Sequence, residues 1–142
     1  MEGNNKRATI CGVAIVPVSG ITMSAHIGIN YVTITPAIET IEFERVQSAS
    51  FLERRAESGD YVEQEFECVF TDSSQTAVTQ HQTLPDTDAV VLIKYSNGIV
   101  LLAGTDLSPV RCEVEESGNP KTFKVSFKRK SPEFAKFVQS LS

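Results

Sequence analysis

The chain has 142 residues, of which 41% are hydrophobic and 22% are charged, and its formal net charge at pH 7 is −5. This length is typical of one domain, and it is large enough to bury a core without disulfide bonds or metal ions. The acidic balance argues against a general attraction to the phosphates of DNA or RNA. We therefore predict a single soluble domain that spans residues 1–142.

Three widely spaced cysteines, Cys11, Cys68 and Cys112, form no CxxC pair. Each lies in an apolar or alternating run, which favours small buried residues in a reducing compartment over a disulfide framework. The apolar stretch Ala8–Val18 follows two basic residues, loosely like a secretory signal, but its β-branched content favours a strand at Thr9–Val18. It is also too short to span a membrane as a helix, so we predict no targeting or membrane segment.

Further strands are predicted at Ile27–Thr35, which ends before Pro36, and at Ile38–Gln47. In Ile38–Gln47 apolar and acidic side chains alternate, as in a half-buried antiparallel strand, and its expected partner is Tyr61–Thr71. Between them, Ser48–Asp60 is rich in charge and forms either a long hairpin loop or an extension of both strands.

The Ser48–Asp60 segment also holds the candidate subunit interface. Phe51 and Leu52 are large apolar residues in a polar stretch, beside Arg54 and Arg55. Such residues often mark a contact surface. The alternative is that they fold back onto the core.

The clearest local signal is a hairpin, in which Ala89–Tyr95 and Ile99–Ala103 are β-rich runs on either side of Asn97-Gly98. Asn-Gly at this position predicts a tight type I′ turn, in which both central residues have positive φ. Both runs are nearly continuous in apolar residues. We therefore expect both faces to be covered, for example by the core on one side and a neighbouring subunit on the other.

A second hairpin is predicted from Val110–Glu115 and Phe123–Lys128, with acidic side chains outside on the first arm and basic ones on the second. Ser131-Pro132-Glu133 is typical of a helix start, and apolar residues follow at helical spacing: Phe134, Phe137, Val138 and Leu141. Asp72–Gln82 is a candidate for one further helix. The predicted fold is mainly β: an antiparallel β-sandwich or barrel-like sheet with a short C-terminal helix.

The sequence offers no recognisable catalytic motif around its two histidines, His26 and His81, and no metalloprotease, nucleophile-elbow or phosphate-loop spacing. Six glutamates would line the outer faces of the predicted paired strands: Glu39, Glu42, Glu44, Glu63, Glu65 and Glu67. They could serve acid–base catalysis, bind a cation or pair with a basic surface of another copy, but a charged row is usually a solvated face. The basic run Lys128–Lys130 lacks the aromatic residues that stack bases. We predict no enzyme activity, no cofactor and no metal site.

Three stretches carry a resemblance to a known class of proteins: FERVQSASFLERRAESGDYVEQEFECVF, VVLIKYSNGIVLLAGTDLSPVRCEVEE and KTFKVSFKRKSPEFAKF. Their order of hairpins resembles small virion proteins of tailed bacteriophages, particularly those of gut bacteria such as the crAss-like phages. The resemblance implies a head–tail connector, neck-ring, tail-tube or tail-completion protein, made in the host cytoplasm and located in the virion. Such proteins form cyclic rings, often of six or twelve copies, which contact neighbouring ring or tail proteins and let DNA pass without chemistry.

The residues leave two other functions open. A monomeric β-sandwich could bind a protein or a carbohydrate through its loops, although the chain has no tryptophan and only three tyrosines, and aromatic residues commonly anchor such sites. A small β-barrel enzyme would have to use the glutamates, and a fold alone does not indicate an activity.

Overall fold

The computed structural model describes residues 9–23, 29, 31–35, 41, 43–70, 87–105, 108–117 and 122–138. Over these residues the chain is mainly β-strand with almost no helix, which confirms the predicted mainly β class. The strands, in chain order, are β1 (Ile10–Pro17), β2 (Thr22–Met23), β3 (Tyr31–Val32), β4 (Ile34–Thr35), β5 (Val46–Arg55), β6 (Val62–Phe70), β7 (Ala89–Tyr95), β8 (Val100–Ala103), β9 (Glu113–Ser117), β10 (Thr122–Ser131) and β11 (Lys136–Val138).

The strands form two large sheets and one small one. The first sheet has five strands in the order β1-β7-β8-β11-β3, with β3 parallel to β11 and the other neighbours antiparallel. The second sheet has four strands in the order β5-β6-β10-β9, all antiparallel. A short pair, β2 and β4, makes up the third. Successive hairpins along the chain therefore alternate between the two large sheets.

Side chains from both large sheets meet in one buried cluster, which we call the shared core. The first sheet contributes Val13, Val91 and Ile93, and the second contributes mainly phenylalanines. The rings of Phe66 and Phe127 stack there, with their centres 5.4 Å apart. Burying each such side chain contributes roughly 1.5–3 kcal/mol to folding, so this cluster is the main source of attraction between the sheets.

A second buried cluster covers the opposite face of the first sheet. It contains Val90 and Leu92 of β7 together with Ile21, Val32 and Ile34 from the preceding part of the chain. Both faces of β7 are therefore buried, as its continuous apolar run predicts. The cover on the outer side comes from the chain's own N-terminal strands, so the idea that a neighbouring subunit covers β7 is wrong.

The predicted β7–β8 hairpin is present, but its turn is not type I′. Beyond the Lys94–Val100 pair, the Tyr95 N–H donates to the carbonyl of Ile99, which closes a loop of Ser96, Asn97 and Gly98. Gly98 has a φ of +92°, whereas no residue other than glycine has a positive φ among those described. The Gly98 N–H donates to the carbonyl of Tyr95. This is a type I turn followed by a glycine bulge, the usual solution for a three-residue hairpin loop.

The long hairpin formed by β5 and β6 is shifted along the chain relative to the prediction. The partner of Val62–Phe70 is Val46–Arg55, and the ladder runs from Val46 opposite Phe70 to Arg55 opposite Val62. Of the two alternatives for Ser48–Asp60, the structure shows a strand extension, but on one side only: Ser48–Arg55 belongs to β5, and the turn lies between Arg55 and Val62. The alternating stretch before it fails as the main partner because Glu44 bridges instead to Val13 of β1, so the chain crosses from one sheet to the other there.

The predicted C-terminal helix is wrong over the described residues, because Lys136–Val138 forms β11. In the first sheet, β11 pairs with β8 on one side and with β3 on the other, which satisfies the hydrogen-bonding groups of its backbone. The helical spacing of its apolar residues is a coincidence that this tertiary pairing overrides. The start signal at Ser131 forms only a local turn, in which Ser131 Oγ accepts from the N–H of Glu133. The helix candidate at Asp72–Gln82 lies outside the described residues.

The remaining strand predictions are confirmed in part. The strand at Thr9–Val18 is present as β1, and the second hairpin is present as β9 and β10. The predicted strand Ile27–Thr35 is two short strands, β3 and β4, which belong to different sheets. Its other residues, apart from Ile29 and Thr33, lie outside the described part of the chain.

Candidate interaction surfaces

The four residues of the predicted interface do not share one surface. The Phe51 side chain is half-buried against the shared core and meets Phe66 edge to face, with 6.4 Å between ring centres. Leu52 points to the opposite side and is 65% exposed. This follows from strand geometry, because successive side chains point to opposite faces. Of the two alternatives left open by the sequence, Phe51 folds onto the core and Leu52 stays on the surface.

The two arginines make contacts within the chain. Arg54 forms an ion pair with Glu63, which lies directly opposite on β6. The hydrogen bond from Arg54 lowers the pKa of the Glu63 carboxyl. The Arg55 guanidinium lies 5.2 Å from the centre of the Phe134 ring and donates to the carbonyl of Gly59. Leu52 and Arg54 therefore share the outward face, while Arg55 is drawn toward the end of the first sheet.

The face of the second sheet that points away from the shared core, which we call the outer face, carries charges whose sign alternates strand by strand. Its strand β5 ends with a basic residue, β6 is acidic, β10 is basic and β9 is acidic. The residues, in that order of strands, are Arg54; Glu63, Glu65 and Glu67; Lys124, Lys128 and Lys130; and Glu113 and Glu115.

These charges pair across neighbouring strands. Lys124 lies 3.6 Å from Glu67 and 4.0 Å from Glu115, and Lys128 lies 3.7 Å from Glu65. Such exposed pairs are worth roughly 0–1 kcal/mol each, so they influence register more than stability. In the part of the chain that the structure describes, no group of three or more acidic, cysteine or histidine residues could hold a metal ion. The glutamates of β6, with Glu115 of β9, form a charge-paired, solvated face, whereas Glu39 and Glu42 lie outside the described residues.

An exposed apolar surface lies on the first sheet, at the end away from β1. We call it the apolar shelf, and it consists of five large side chains, each 41–54% exposed: Ile29, Tyr31, Ile99, Phe134 and Phe137. Tyr31 and Phe137 are neighbours on β3 and β11, with 5.9 Å between ring centres.

The register explains why the shelf is apolar. Phe137 pairs with Leu101, and Leu101 pairs with Ile93, which points into the shared core. The shelf is therefore the continuation of the core-facing side of the first sheet. Its strands β8, β11 and β3 carry apolar residues there, as a covered sheet would, but each shelf residue remains substantially exposed. The register thus accounts for the apolar character of the shelf.

An open groove of about 510 Å³ borders the shelf where it meets the end of the long hairpin. Aromatic and aliphatic side chains form most of it, with one carboxylate and one amide at its rim. The lining residues are Glu53, Tyr95, Asn97, Ile99, Leu101, Phe134, Ala135 and Phe137.

The Glu53 carboxylate connects the shelf to the second sheet through hydrogen bonds. Its Oε2 atom accepts a hydrogen bond from Gln64 Nε2 at 2.8 Å and another from the backbone N–H of Ala135 at 2.6 Å. Beside it, the buried Lys136 ammonium contacts the Glu133 carboxylate and the carbonyl of Ile29. These polar contacts fix the segment that presents Phe134 and Phe137. The sequence reasoning missed this arrangement because it assigned the segment to a helix.

The thiols offer no nucleophile in the core. Cys68 and Cys112 are buried in the shared core as predicted. Burial raises the pKa of the Cys112 thiol to about 12, and burial together with the neighbouring Cys112 raises the pKa of Cys68 even further. Both therefore stay protonated at neutral pH. Cys11 is exposed, which corrects the prediction that all three are buried. His26 and His81 lie outside the described residues.

Of the residues that the structure describes, none belongs to a helix long and apolar enough to cross a membrane. No protein-family model, curated protein or solved structure matches the chain. The apolar shelf and the outer face of the second sheet are therefore the features from which a function has to be inferred.

Proposed function

We propose that the chain is a structural subunit of a tailed-phage virion, which assembles into a ring or tube in the neck or tail and lets DNA pass without catalysis. The order of hairpins in its sequence, which resembles that of such proteins, supports the proposal. The observation that carries it is the apolar shelf, because the largest apolar patch on a protein surface is often a functional contact.

The proposal includes a β-sandwich arrangement of the two large sheets. Its support is the shared core, to which alternate residues of both sheets contribute. No residue of β11 or β3 belongs to that core, and the shelf lies at this end of the first sheet.

The size of the shelf suits part of a subunit contact. With five side chains exposed by 41–54% and about 150–250 Å² available for each, the shelf offers about 350–600 Å² of apolar surface. A standard protein interface buries about 800 Å² on each partner and concentrates aromatic residues at its centre. The partner that we propose is accordingly a neighbouring protein subunit of the virion.

The proposal is tested by the native mass of the purified protein, measured by light scattering at several concentrations. We expect species of ring size that dissociate on dilution. Phe137→Thr keeps a strand-forming residue but removes the ring, and it should shift the population toward monomer; Phe137→Leu retains an apolar side chain and serves as the control. A wild-type protein that stays monomeric throughout, with the Thr variant indistinguishable from it, would count against assembly through the shelf.

The groove beside the shelf favours one alternative, a monomeric binding module. Its volume of about 510 Å³ is within the usual range for sites that bind small ligands, and its aromatic lining with a carboxylate at the rim suits a carbohydrate or a peptide. This alternative predicts a monomer at all concentrations and saturable binding in a ligand screen. Assembly into a defined oligomer would exclude it.

A further inference from the structure

The second sheet ends in two strands that run in opposite directions. Its order is β5-β6-β10-β9, and every neighbouring pair is antiparallel. Because the number of strands is even, β5 and β9 are themselves antiparallel. The β9 strand of one copy, placed beside the β5 strand of another, would therefore continue the antiparallel ladder without interruption.

The outer edge of β5 lacks the features that usually protect an edge strand. It is ten residues long, and no described strand pairs with it on the side away from β6. From Gln47 to Leu52 it contains neither a charged residue nor a proline. The irregularity in its register lies at its start, between Val46 and Ser48, and leaves the rest regular. A six-residue edge stretch with neither charge nor proline can serve as a template for pairing with another strand.

The charges of the outer face indicate which strand fits that edge. Residues directly opposite each other within the sheet have opposite signs: Arg54 with Glu63, Glu63 with Lys130, Glu65 with Lys128, and Lys124 with Glu115. A β9 strand beside β5 would extend the same pattern, because it brings Glu113 or Glu115 next to Arg54. Pairing β9 with β9 would bring its glutamates together, which is unfavourable. Pairing β5 with β5 would give Arg54 no acidic residue on the outer face of the added strand.

We propose that β9 of one copy pairs antiparallel with β5 of the next, so that successive copies extend the second sheet head to tail. The partner is a second copy of this chain, and the inference rests on the proposed function in assuming that copies assemble. Such a contact joins two different surfaces, and contacts of this kind form closed rings when the rotation between copies closes.

Charge reversal at the two edges tests the pairing. Glu113→Lys changes β9 at a residue that faces Ser126 within the chain, so no directly opposite charge is disturbed. Arg54→Glu changes β5. Each variant should weaken association about 2- to 30-fold per junction, if an ordinary cross-strand attraction becomes an equal repulsion. The double variant should recover assembly, because the two reversed side chains again carry opposite charges across each junction between copies.

A mixture of the two single variants gives a sharper result. In an alternating arrangement, every junction joins opposite charges, so two proteins that assemble poorly alone should assemble together into complexes with an even number of copies. Glu67→Lys is the control for charge reversal on the same face, and it also removes the exposed ion pair with Lys124. Glu67 also faces Ser126, from the other side, but lies on the inner strand β6, so its reversal should leave assembly unchanged.

Light scattering of these proteins separates the two proposals. If the wild type assembles but neither edge variant weakens it, or if mixing restores nothing, the β9–β5 pairing is overturned while assembly itself stands. If the wild type is monomeric at all concentrations, both the proposed assembly and the proposed β9–β5 pairing are refuted. Circular dichroism and urea unfolding of each variant show whether a loss of assembly comes instead from a loss of folding.

Discussion

Replacing Glu53 with alanine should weaken both the fold and the apolar shelf. One carboxylate oxygen accepts hydrogen bonds from Gln64 on β6 and from the backbone of Ala135, just before β11. It therefore links the second sheet to the segment that presents Phe134 and Phe137. In the variant, both donors lose their acceptor at the same time.

The expected loss of stability in Glu53→Ala follows from the burial of the two donors. Gln64 is only 1% exposed, and its own Oε1 atom is already buried without a hydrogen-bond partner. Leaving its Nε2 unpaired as well costs about 1–3 kcal/mol. Ala135 is only partly buried, so water replaces part of its lost bond. We expect Glu53→Ala to lower the free energy of unfolding by about 2–4 kcal/mol, a large share of the 5–15 kcal/mol typical of a domain.

Urea unfolding followed by circular dichroism measures this loss. Glu53→Gln keeps an acceptor oxygen and should recover part of it, since a neutral hydrogen bond is weaker than one to a carboxylate. Arg54→Ala is the neighbouring control. It removes an ion pair on the exposed face and should change stability little. If Glu53→Ala costs less than about 0.5 kcal/mol, less than one ordinary hydrogen bond, Glu53 does not hold the two sheets together.

Two further predictions concern the core and the turn. At pH 8 a thiol reagent should modify Cys11 alone in the native protein and all three cysteines in urea. The reason is that burial raises the pKa of Cys68 and Cys112 and blocks the access of the reagent. Rapid labelling of all three cysteines in the native protein would contradict the shared core. Gly98→Ala should lower the free energy of unfolding by about 1–2 kcal/mol, the cost of a left-handed residue, because Gly98 has a φ of +92° with no atom near its missing Cβ. Gly20→Ala, without a positive φ, is the control and should cost no stability.

The elements that the sequence predicts correctly are those whose signals are local. The β7–β8 and β9–β10 hairpins combine strand-forming runs with turn residues a few positions apart, so neither depends on the rest of the molecule. Even there, the turn type depends on the register, because a three-residue loop needs one left-handed residue and a two-residue type I′ loop needs two.

The errors occur where distant strands compete for the same residues. Lys136–Val138 carries a helical spacing, yet it becomes a strand because β8 and β3 offer backbone partners on both sides. Val46–Arg55 lacks a clear alternation, since serines fill much of its outer face, and its pairing with β6 is visible only in the assembled sheet. Local patterns carry no information about such partners.

The surfaces were predictable to different degrees. The opposite charges of β9 and β10 could be predicted, because both strands belong to one hairpin and face each other directly. The acidic β6 on the other side of β10 could not be placed from the sequence, since that neighbour is far away in the chain. The shelf was not predictable at all, because its exposure depends on how far the second sheet extends over the first.

The two surfaces would contribute differently to an assembly. Exposed charge pairs at the β5 and β9 edges select a partner strand and its direction, but they add little to affinity. Apolar area supplies affinity, at roughly 25 cal/mol for each Å² that is buried, but it discriminates poorly between partners. The shelf lies on the first sheet and the edges belong to the second. A subunit with this division can select the orientation of a neighbouring copy through its edges and gain affinity for other copies through the shelf.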